Sequence, residues 1–186
     1  MKIVAQYSHK AGREYLEKNR LDELKEIEKI ITSVKASAFK TKVSEEKTMM
    51  GKALYSPKEL NAEFKRQLEA NGWKPHRLRV TTTIPEIGQT HEGFREIDGV
   101  KNGVGVEIQF GKYAFMIYNG LAKMTIFANQ KVIDSGIEIV PMLSLAREMS
   151  TGVSYYEQMK TDLEYRGESD IDIPVLIIGV NDEERG

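Results

Sequence analysis

A short apolar segment that contains a carboxylate constrains this chain more than any other feature. Apolar residues alternate there with glycine and polar residues, in the order Val104, Gly105, Val106, Glu107, Ile108, Gln109 and Phe110. This period of two predicts a half-buried β-strand at the centre of the fold. Glu107 and Gln109 would then share one face of the strand, roughly 7 Å apart. A carboxylate beside core-facing side chains is costly unless something compensates its charge.

A second acid, Asp98, precedes Glu107 on what the sequence suggests is a short approach segment. Mg²⁺ is typically held in proteins by one or two carboxylates together with phosphate oxygens of a substrate. The two acids therefore suggest a magnesium site. A strand whose polar face simply meets solvent can show the same pattern, so the spacing alone leaves both interpretations open.

Composition narrows the class of protein. The 186 residues are 40% hydrophobic and 30% charged, which predicts a single globular domain over residues 1–186. Because the chain has no cysteine, a disulfide scaffold, a cysteine zinc site and a thiol nucleophile are excluded. No phosphate-binding glycine loop is present, so no nucleotide cofactor is expected. The N-terminus lacks the apolar stretch of a signal peptide, so we expect a cytoplasmic protein without a membrane partner.

The hydrophobic periodicity predicts an α/β fold, because helices alternate with apolar strands. Strands are predicted at residues 2–7, 78–84, 104–110, 137–140 and 174–180. Helices are predicted at residues 12–33, 113–127, 143–149 and 155–165. A further helix is expected to begin at Ser56-Pro57, an N-cap followed by proline, and to stop at Gly72. Residues 35–55 and 85–97 are predicted to be mainly loop.

Together, Asp98, Glu107, Ile108 and Gln109 resemble the PD-(D/E)xK nuclease pattern, with glutamine in place of the usual lysine. The surrounding sequence resembles the type II restriction endonucleases of the BglII and BstYI group more specifically. Five stretches in the same order carry this resemblance, at residues 3–9, 45–57, 68–73, 106–113 and 148–157. They span almost the whole chain, so they are far more specific than the acidic motif alone. The resemblance implies a restriction-endonuclease-like fold, with a central mixed sheet flanked by helices.

The resemblance also implies a reaction and a set of roles. The reaction would be Mg²⁺-dependent hydrolysis of phosphodiesters in double-stranded DNA, as part of a restriction system, and Mn²⁺ can substitute. Asp98 and Glu107 would be metal ligands, and the backbone carbonyl of Ile108 would complete the protein's share of the coordination. Gln109 would stand in the active site without a charge. Any charge stabilisation that a lysine gives elsewhere would then have to come from the metal or a second ion.

Specificity is expected from two loops that reach the major groove in this group. They contain Lys112, and Ser150, Thr151 and Ser154. A lysine amine can donate to either purine, and hydroxyl groups are permissive as well. The implied site is therefore palindromic, with a GATC core and a degenerate purine–pyrimidine outer pair. Cleavage before the core would leave four-base 5′ overhangs with 5′-phosphates. Thr151 departs from the residues that the group has at this position, which bears on the outer pair.

A palindromic site read by one domain implies a homodimer, with contacts expected from the helices at residues 113–127 and 143–149. The helix at residues 12–33 is instead expected to pack on the sheet. Two other functions stay open at this point. One is a sequence-specific DNA-binding protein without cleavage, since Gln109 departs from the broader pattern. The other is a nuclease of the same fold that recognises DNA structure instead of sequence.

Overall fold

The computed structural model describes residues 1–111, 116–166 and 172–183. The described residues form eight strands: β1 (Lys2–His9), β2 (Lys42–Val43), β3 (Ala53–Leu54), β4 (Lys74–Ile84), β5 (Gln89–Lys101), β6 (Val104–Ile108), β7 (Ser135–Pro141) and β8 (Val175–Asn181). They also form six α-helices: α1 (Gly12–Asn19), α2 (Leu21–Ser33), α3 (Pro57–Ala70), α4 (Met116–Asn129), α5 (Leu143–Ala146) and α6 (Tyr156–Arg166).

Six of these strands make one mixed sheet in the described part of the chain, in the order β1-β8-β7-β6-β5-β4. The three central strands β6, β7 and β8 are parallel, and the outer pairings are antiparallel. Helices lie between the parallel strands along the chain, as parallel connections require. This arrangement confirms the predicted α/β class with a mixed central sheet. It also confirms the strand predicted at residues 2–7, which is β1 at one edge of the sheet.

Apolar clusters cover both faces of the central strands, so β6 is buried at all five positions instead of half-buried. Val104, Val106 and Ile108 belong to a cluster with side chains of α2 and α3. A second cluster contains Met124 and Phe127 of α4 together with side chains of α6 and β8. Glu107 therefore lies in a strand without a solvated face, which makes compensation of its charge more pressing than the sequence indicated.

Two sequence predictions about local structure are wrong. The helix predicted at residues 12–33 is two helices, because Arg20 leaves the helical region (φ −143°, ψ 39°) between α1 and α2. The guanidinium of Arg20 pairs with Asp134, which fixes this break. Both helices nevertheless pack on the sheet, as expected.

The predicted loop at residues 85–97 is mostly strand. A 3-10 turn at Pro85–Ile87 and Gly88 (φ +61°) reverse the chain, and β5 then pairs with β4 along almost its whole length. The outer part of this hairpin is exposed to solvent, so its residues need no apolar alternation and give no strand signal.

The other boundaries follow the predictions with small shifts. The helix capped by Ser56 is confirmed, since the Ser56 hydroxyl accepts a hydrogen bond from the backbone N–H of Glu59. The predicted helix at residues 143–149 is shorter, as α5 ends at Ala146. Residues 113–115 of another predicted helix lie outside the described residues, and α4 continues from Met116. Residues 35–55 hold a 3-10 helix at Ala36–Phe39 and the small β2–β3 hairpin.

Within the described residues, none of the helices has the length and apolar character needed to span a membrane.

Candidate active site

A tight hairpin explains the spacing between Asp98 and Glu107. Strands β5 and β6 are joined by Asn102 and Gly103, which both adopt positive φ angles (47° and 82°). This two-residue turn matches the twist of antiparallel strands. The last paired residues before the site are Gly99 and Val106, so Asp98 and Glu107 lie one position beyond them. The fixed turn thus brings acids that are distant along the chain side by side.

The carboxylate of Asp98 is held by the neighbouring backbone. Its Oδ2 accepts a hydrogen bond from the backbone N–H of Ile108 at 3.0 Å. The backbone N–H of Gln109 donates to the carbonyl of Ile139 on β7 at 2.9 Å. The segment of Ile108 and Gln109 is therefore fixed between β5 and β7, which orients the side chains that follow Glu107.

Asp98, Glu107, Ile108 and Gln109 line one cavity of about 510 Å³. We call it the acid-lined cavity. Its other lining residues are Asn61, Lys65, Phe94, Arg95, Glu96, Gly111 and Lys123. The structure thus brings together all four residues predicted from the motif, and it adds basic side chains that the sequence did not suggest.

In the acid-lined cavity, the environment of Glu107 disfavours the ionised form of its carboxyl group. Only 2% of the residue is exposed. Burial, followed by the nearby negative charge of Asp98, raises the pKa of Glu107 to about 7, although Lys123 and Lys65 partly offset both effects. A carboxylate in this position holds its charge weakly and gains from any cation that reaches it.

Two lysines on separate helices reach these acids. Lys65 on α3 lies 2.8 Å from Oδ1 of Asp98, and about half of its side chain is exposed. Lys123 on α4 lies 2.6 Å from Oε1 of Glu107 and is largely buried. Sequence reasoning missed both, because each lies far from the motif along the chain and lysines are common on helix surfaces.

A third acid, Glu138, lies directly beside Glu107 in the parallel pairing of β6 and β7. It is fully buried, and neither carboxylate oxygen has a hydrogen-bond partner among the described residues. Burial, reinforced by the charge of Glu107, raises the pKa of Glu138 well above its usual range. Its sequence context, an acid between Ile137 and Ile139, is the same signal that identified Glu107 and could have found it.

The acid-lined cavity fits a hard divalent cation. The groups that could bind a cation there are oxygen atoms. The carboxylates of Asp98 and Glu107 repel each other, and lysine side chains offset the negative charge of Glu107 only in part. Oxygen ligands of this kind suit Mg²⁺, which keeps several waters and needs only one or two carboxylates. No group of three or more acids, histidines or cysteines among the described residues forms a complete metal cage. A cation bound by Asp98 and Glu107 alone would keep several water ligands, and a substrate phosphate could replace some of them.

The predicted recognition residues line a different cavity, of about 830 Å³, which we call the hydroxyl-lined cavity. Ser150, Thr151 and Ser154 all contribute to it. Lys112, the other predicted recognition residue, lies outside the described residues. Among the described residues, the three predicted hydroxyl residues therefore line a different cavity from the four residues of the acidic motif.

A single carboxylate organises the loop of the hydroxyl-lined cavity. Glu46 accepts hydrogen bonds from the Ser150 hydroxyl, from the Thr151 hydroxyl at 2.8 Å and from the Thr151 backbone N–H at 3.0 Å. The neighbouring Lys42 donates to the carbonyl of Met149 at 3.1 Å. The polar segment around β2 and β3 therefore holds the loop in place, a role that its unperiodic sequence did not reveal.

Comparison with known proteins identifies a family whose model matches most of this chain. The family described as restriction endonuclease BglII/BglIII matches residues 4–180. No curated protein matches the chain. The fold is similar to the crystal structure of restriction endonuclease BglII complexed with a DNA 16-mer, with a TM-score of 0.73, 23% identity and coverage of 100% of this chain and 81% of that one. It is also similar to free BglII, with a TM-score of 0.63, 21% identity and coverage of 98% and 81%.

Proposed function

The chain belongs to the BglII/BglIII family of restriction endonucleases, and we propose that it cuts both strands of DNA at a palindromic GATC-core site with Mg²⁺ as cofactor. The family makes it a type II site-specific deoxyribonuclease. The cofactor, the site and the residues that carry the reaction are proposals. The observation that carries them is the convergence of Asp98, Glu107, Ile108 and Gln109 on one cavity at the centre of the sheet.

Restriction endonucleases of this kind generally use divalent metal ions. In our proposal Asp98, Glu107 and the carbonyl of Ile108 hold Mg²⁺, and Mn²⁺ can replace it. When bound, the ion polarises the scissile phosphate and lowers the pKa of a water ligand. The electrostatics of Glu107 support this assignment, since a buried acid beside another acid gains most from a nearby cation.

The protein's own side chains would orient the reacting atoms. Glu107 accepts a hydrogen bond from the attacking water, and Gln109 contacts the water or the phosphate through its amide. The water oxygen bonds to phosphorus and the bond from phosphorus to O3′ breaks. A proton passes to the departing 3′-oxygen, which leaves a 3′-hydroxyl and a 5′-phosphate. Asp98 is held by the Ile108 N–H, so the two carboxylates keep a fixed relation during the reaction.

Recognition would come from base edges, because phosphate contacts position a protein without reading sequence. We assign Ser150, Thr151 and Ser154 to this role, together with Lys112. The position of the three hydroxyl residues on the lining of one cavity supports this assignment. Lysine amines and hydroxyl groups can bond to more than one base, so at the outer base pair they favour a purine–GATC–pyrimidine site over one fixed six-base sequence.

The proposed partner is double-stranded DNA, which the relative BglII binds as a 16-mer in its crystal structure. A palindrome has two-fold symmetry, and a protein with one active site per chain meets that symmetry as a homodimer. We propose that α4 and α5 contribute to the dimer contact. Gel filtration with light scattering would test this, and a monomer in the presence and absence of DNA would contradict it.

Plasmid cleavage with Mg²⁺ and with Ca²⁺ tests the proposed function. We expect discrete double-strand cuts with Mg²⁺, and binding without cutting with Ca²⁺. Binding without cutting under both conditions would favour a DNA-binding protein that lacks activity. Nicks or smears at ends and junctions would favour a nuclease that recognises DNA structure.

A further inference from the structure

The proposed active site has no positive charge at position 109, but a lysine on the neighbouring helix α4 lies in the same cavity. Gln109 carries no charge, whereas the scissile phosphate becomes more negative as the reaction proceeds. Preorganised positive charge at such a point is worth a large part of an enzyme's rate. In the same cavity, Lys123 presents an ammonium group that no step of the proposed function has used.

Lys123 is tethered at two points. Its Nζ lies 2.6 Å from Oε1 of Glu107 and donates to the backbone carbonyl of Glu96 at 3.1 Å. Only 21% of its side chain is exposed. If Glu107 turned to another cation, the carbonyl of Glu96 would still hold the ammonium group inside the acid-lined cavity.

The backbone that carries Lys123 is also fixed. The adjacent Met124 is fully buried, and its sulfur packs so close to Gly136 of β7 that a side chain at that glycine would collide with it. Phe127, one turn further along α4, is fully buried as well. Lys123 therefore projects from a helix that is packed directly against the strand of Glu138.

Lys65 is a weaker candidate for the same role. It pairs with the outer acid Asp98, and 48% of its side chain is exposed, against 21% for Lys123. A solvated lysine on a flexible stem gives less stabilisation, because water screens its charge and holding it in place costs side-chain entropy. The buried lysine beside the buried acid is the preorganised one.

We propose that Lys123 supplies the positive charge that Gln109 lacks: it neutralises Glu107 before the divalent cation binds, and it turns to a non-bridging oxygen of the scissile phosphate once that cation takes Glu107. This inference rests on the proposed function. The side chain donates hydrogen bonds only and takes no part in proton transfer. Lys123 is then both a placeholder for the metal and a catalytic residue from outside the motif.

The placeholder role and the catalytic role predict opposite effects of one substitution. In Lys123→Met, the competitor for Glu107 is gone, so Ca²⁺ should bind the DNA-free protein about tenfold more tightly, since two cations no longer share one site. Cleavage at saturating Mg²⁺ and DNA should fall by about 10²- to 10³-fold, the usual effect of removing one transition-state donor. Titration calorimetry with Ca²⁺ and single-turnover cleavage measure the two effects separately.

Three variants complete the experiment. Lys123→Arg keeps the charge and should restore cleavage to within about tenfold of wild type. Lys65→Met should change both quantities by less than Lys123→Met. Lys160→Met is the matched control, because the one ion pair that Lys160 makes within the described residues is a surface pair with Glu164, and this variant should change neither quantity.

The outcomes separate the possibilities. Wild-type cleavage by Lys123→Met, or parallel losses of Ca²⁺ affinity and cleavage, would overturn the proposal, since the second result indicates a merely structural lysine. If Lys123→Met does not fold, Lys123→Arg decides: a folded protein that cleaves within about tenfold of wild type supports the proposal, and a larger loss overturns it. If the wild-type protein itself does not cleave with Mg²⁺, the proposed function fails, while the Ca²⁺ titration still tests the placeholder role.

Discussion

The two cavities are built in different ways. In the acid-lined cavity, Asp98 and Glu107 are held side by side by strand pairing, a two-residue turn and a backbone hydrogen bond. In the hydroxyl-lined cavity, Ser150 and Thr151 lie on a loop that is held mainly by three hydrogen bonds to the side chain of Glu46. One site depends on the backbone of the central sheet, and the other depends on a surface carboxylate.

This difference matches the different demands of the two proposed roles. Reacting groups must hold their relative positions closely, and rigid strands provide that. Recognition of bases is more variable, and a loop held by side chains can change without disturbing the sheet. We therefore expect substitutions in the acid-lined cavity to abolish the reaction, and substitutions around Glu46 to change the choice of sequence.

The largest effect is expected from the acids. Asp98→Asn and Glu107→Ala should each reduce cleavage by about 10³-fold or more, because metal-assisted stabilisation is worth several kcal/mol. Binding of DNA with Ca²⁺ present should change far less, since phosphate contacts supply most of the affinity. Single-turnover cleavage and a binding assay with Ca²⁺ measure the two quantities.

Lys160→Met serves here too as a surface control that should cleave normally. Turnover like that of the wild type in either acid variant would remove Asp98 or Glu107 from the site. Equal losses of binding and cleavage would show that the substitutions damage the fold instead of the chemistry.

The second effect concerns stability and pH. Glu107 has a pKa of about 7 in the folded protein against an ordinary value of 4.5, so the folded state holds this proton more tightly than the unfolded chain. Without metal, stability should therefore be greatest below pH 4.5 as far as this group is concerned, and should fall by about 3 kcal/mol as the pH rises to 7. Denaturant unfolding in a chelator at several pH values measures this.

Glu107→Gln should lose this pH dependence, while the separate contribution of Glu138 stays. Added Ca²⁺ should restore stability to the wild type at pH 8 and have little effect on Glu107→Gln, because the buried charge is absent. If the stability of Glu107→Gln depended on pH as that of the wild type does, Glu107 would not be the group whose ionisation destabilises the folded protein.

A smaller effect is expected from the hydroxyl-lined cavity. Glu46→Gln can no longer offer two charged acceptor oxygens to Ser150 and Thr151, so the loop should loosen. The ratio of cleavage rates for sites that differ only in the outer base pair should change by about tenfold, within the 1–3 kcal/mol of a base contact. The neighbouring and exposed Glu45 offers a matched control, as Glu45→Gln should leave the ratio unchanged. If both variants behave alike, Glu46 does not position the loop.

The smallest effect separates stability from function. Ser56→Ala removes the N-cap of α3 and should destabilise the protein by about 1 kcal/mol. It should leave both the cleavage rate under stable conditions and the outer-pair ratio unchanged, since Ser56 lines neither cavity. A change in the ratio with this variant would mean that general loosening, and not Glu46 itself, explains the result expected for Glu46→Gln.

Most of the sheet could be predicted because its buried strands carry strong apolar patterns. Residues 104–110 and 137–140 are examples, since each is apolar at nearly every core position. The β4–β5 hairpin could not be found this way, because its outer half is exposed and carries no pattern. Asn102-Gly103 is a turn signal of the kind that joins two strands in a β-hairpin, so the end of β5 could have been predicted from it.

The acids of the site could be predicted because they lie close together along the chain and interrupt apolar residues. Lys65, Lys123 and Glu46 could not, because each is an ordinary surface residue type whose partner comes from a distant element. Only the fold brings such pairs together. Glu138 lies between these cases, since the sequence shows an acid flanked by isoleucines, but only the parallel pairing of β6 and β7 shows that it lies beside Glu107.

Sequencing the ends of fragments tests the assignment of chemistry to the acid-lined cavity most directly. Unmethylated DNA is digested with Mg²⁺ by the wild-type protein and, in parallel, by Asp98→Asn and Lys160→Met. We predict ends at purine–GATC–pyrimidine sites with four-base 5′ overhangs for the wild type and Lys160→Met, and no such ends for Asp98→Asn. The same ends in all three digests would contradict the assignment, because the reaction would then proceed without Asp98.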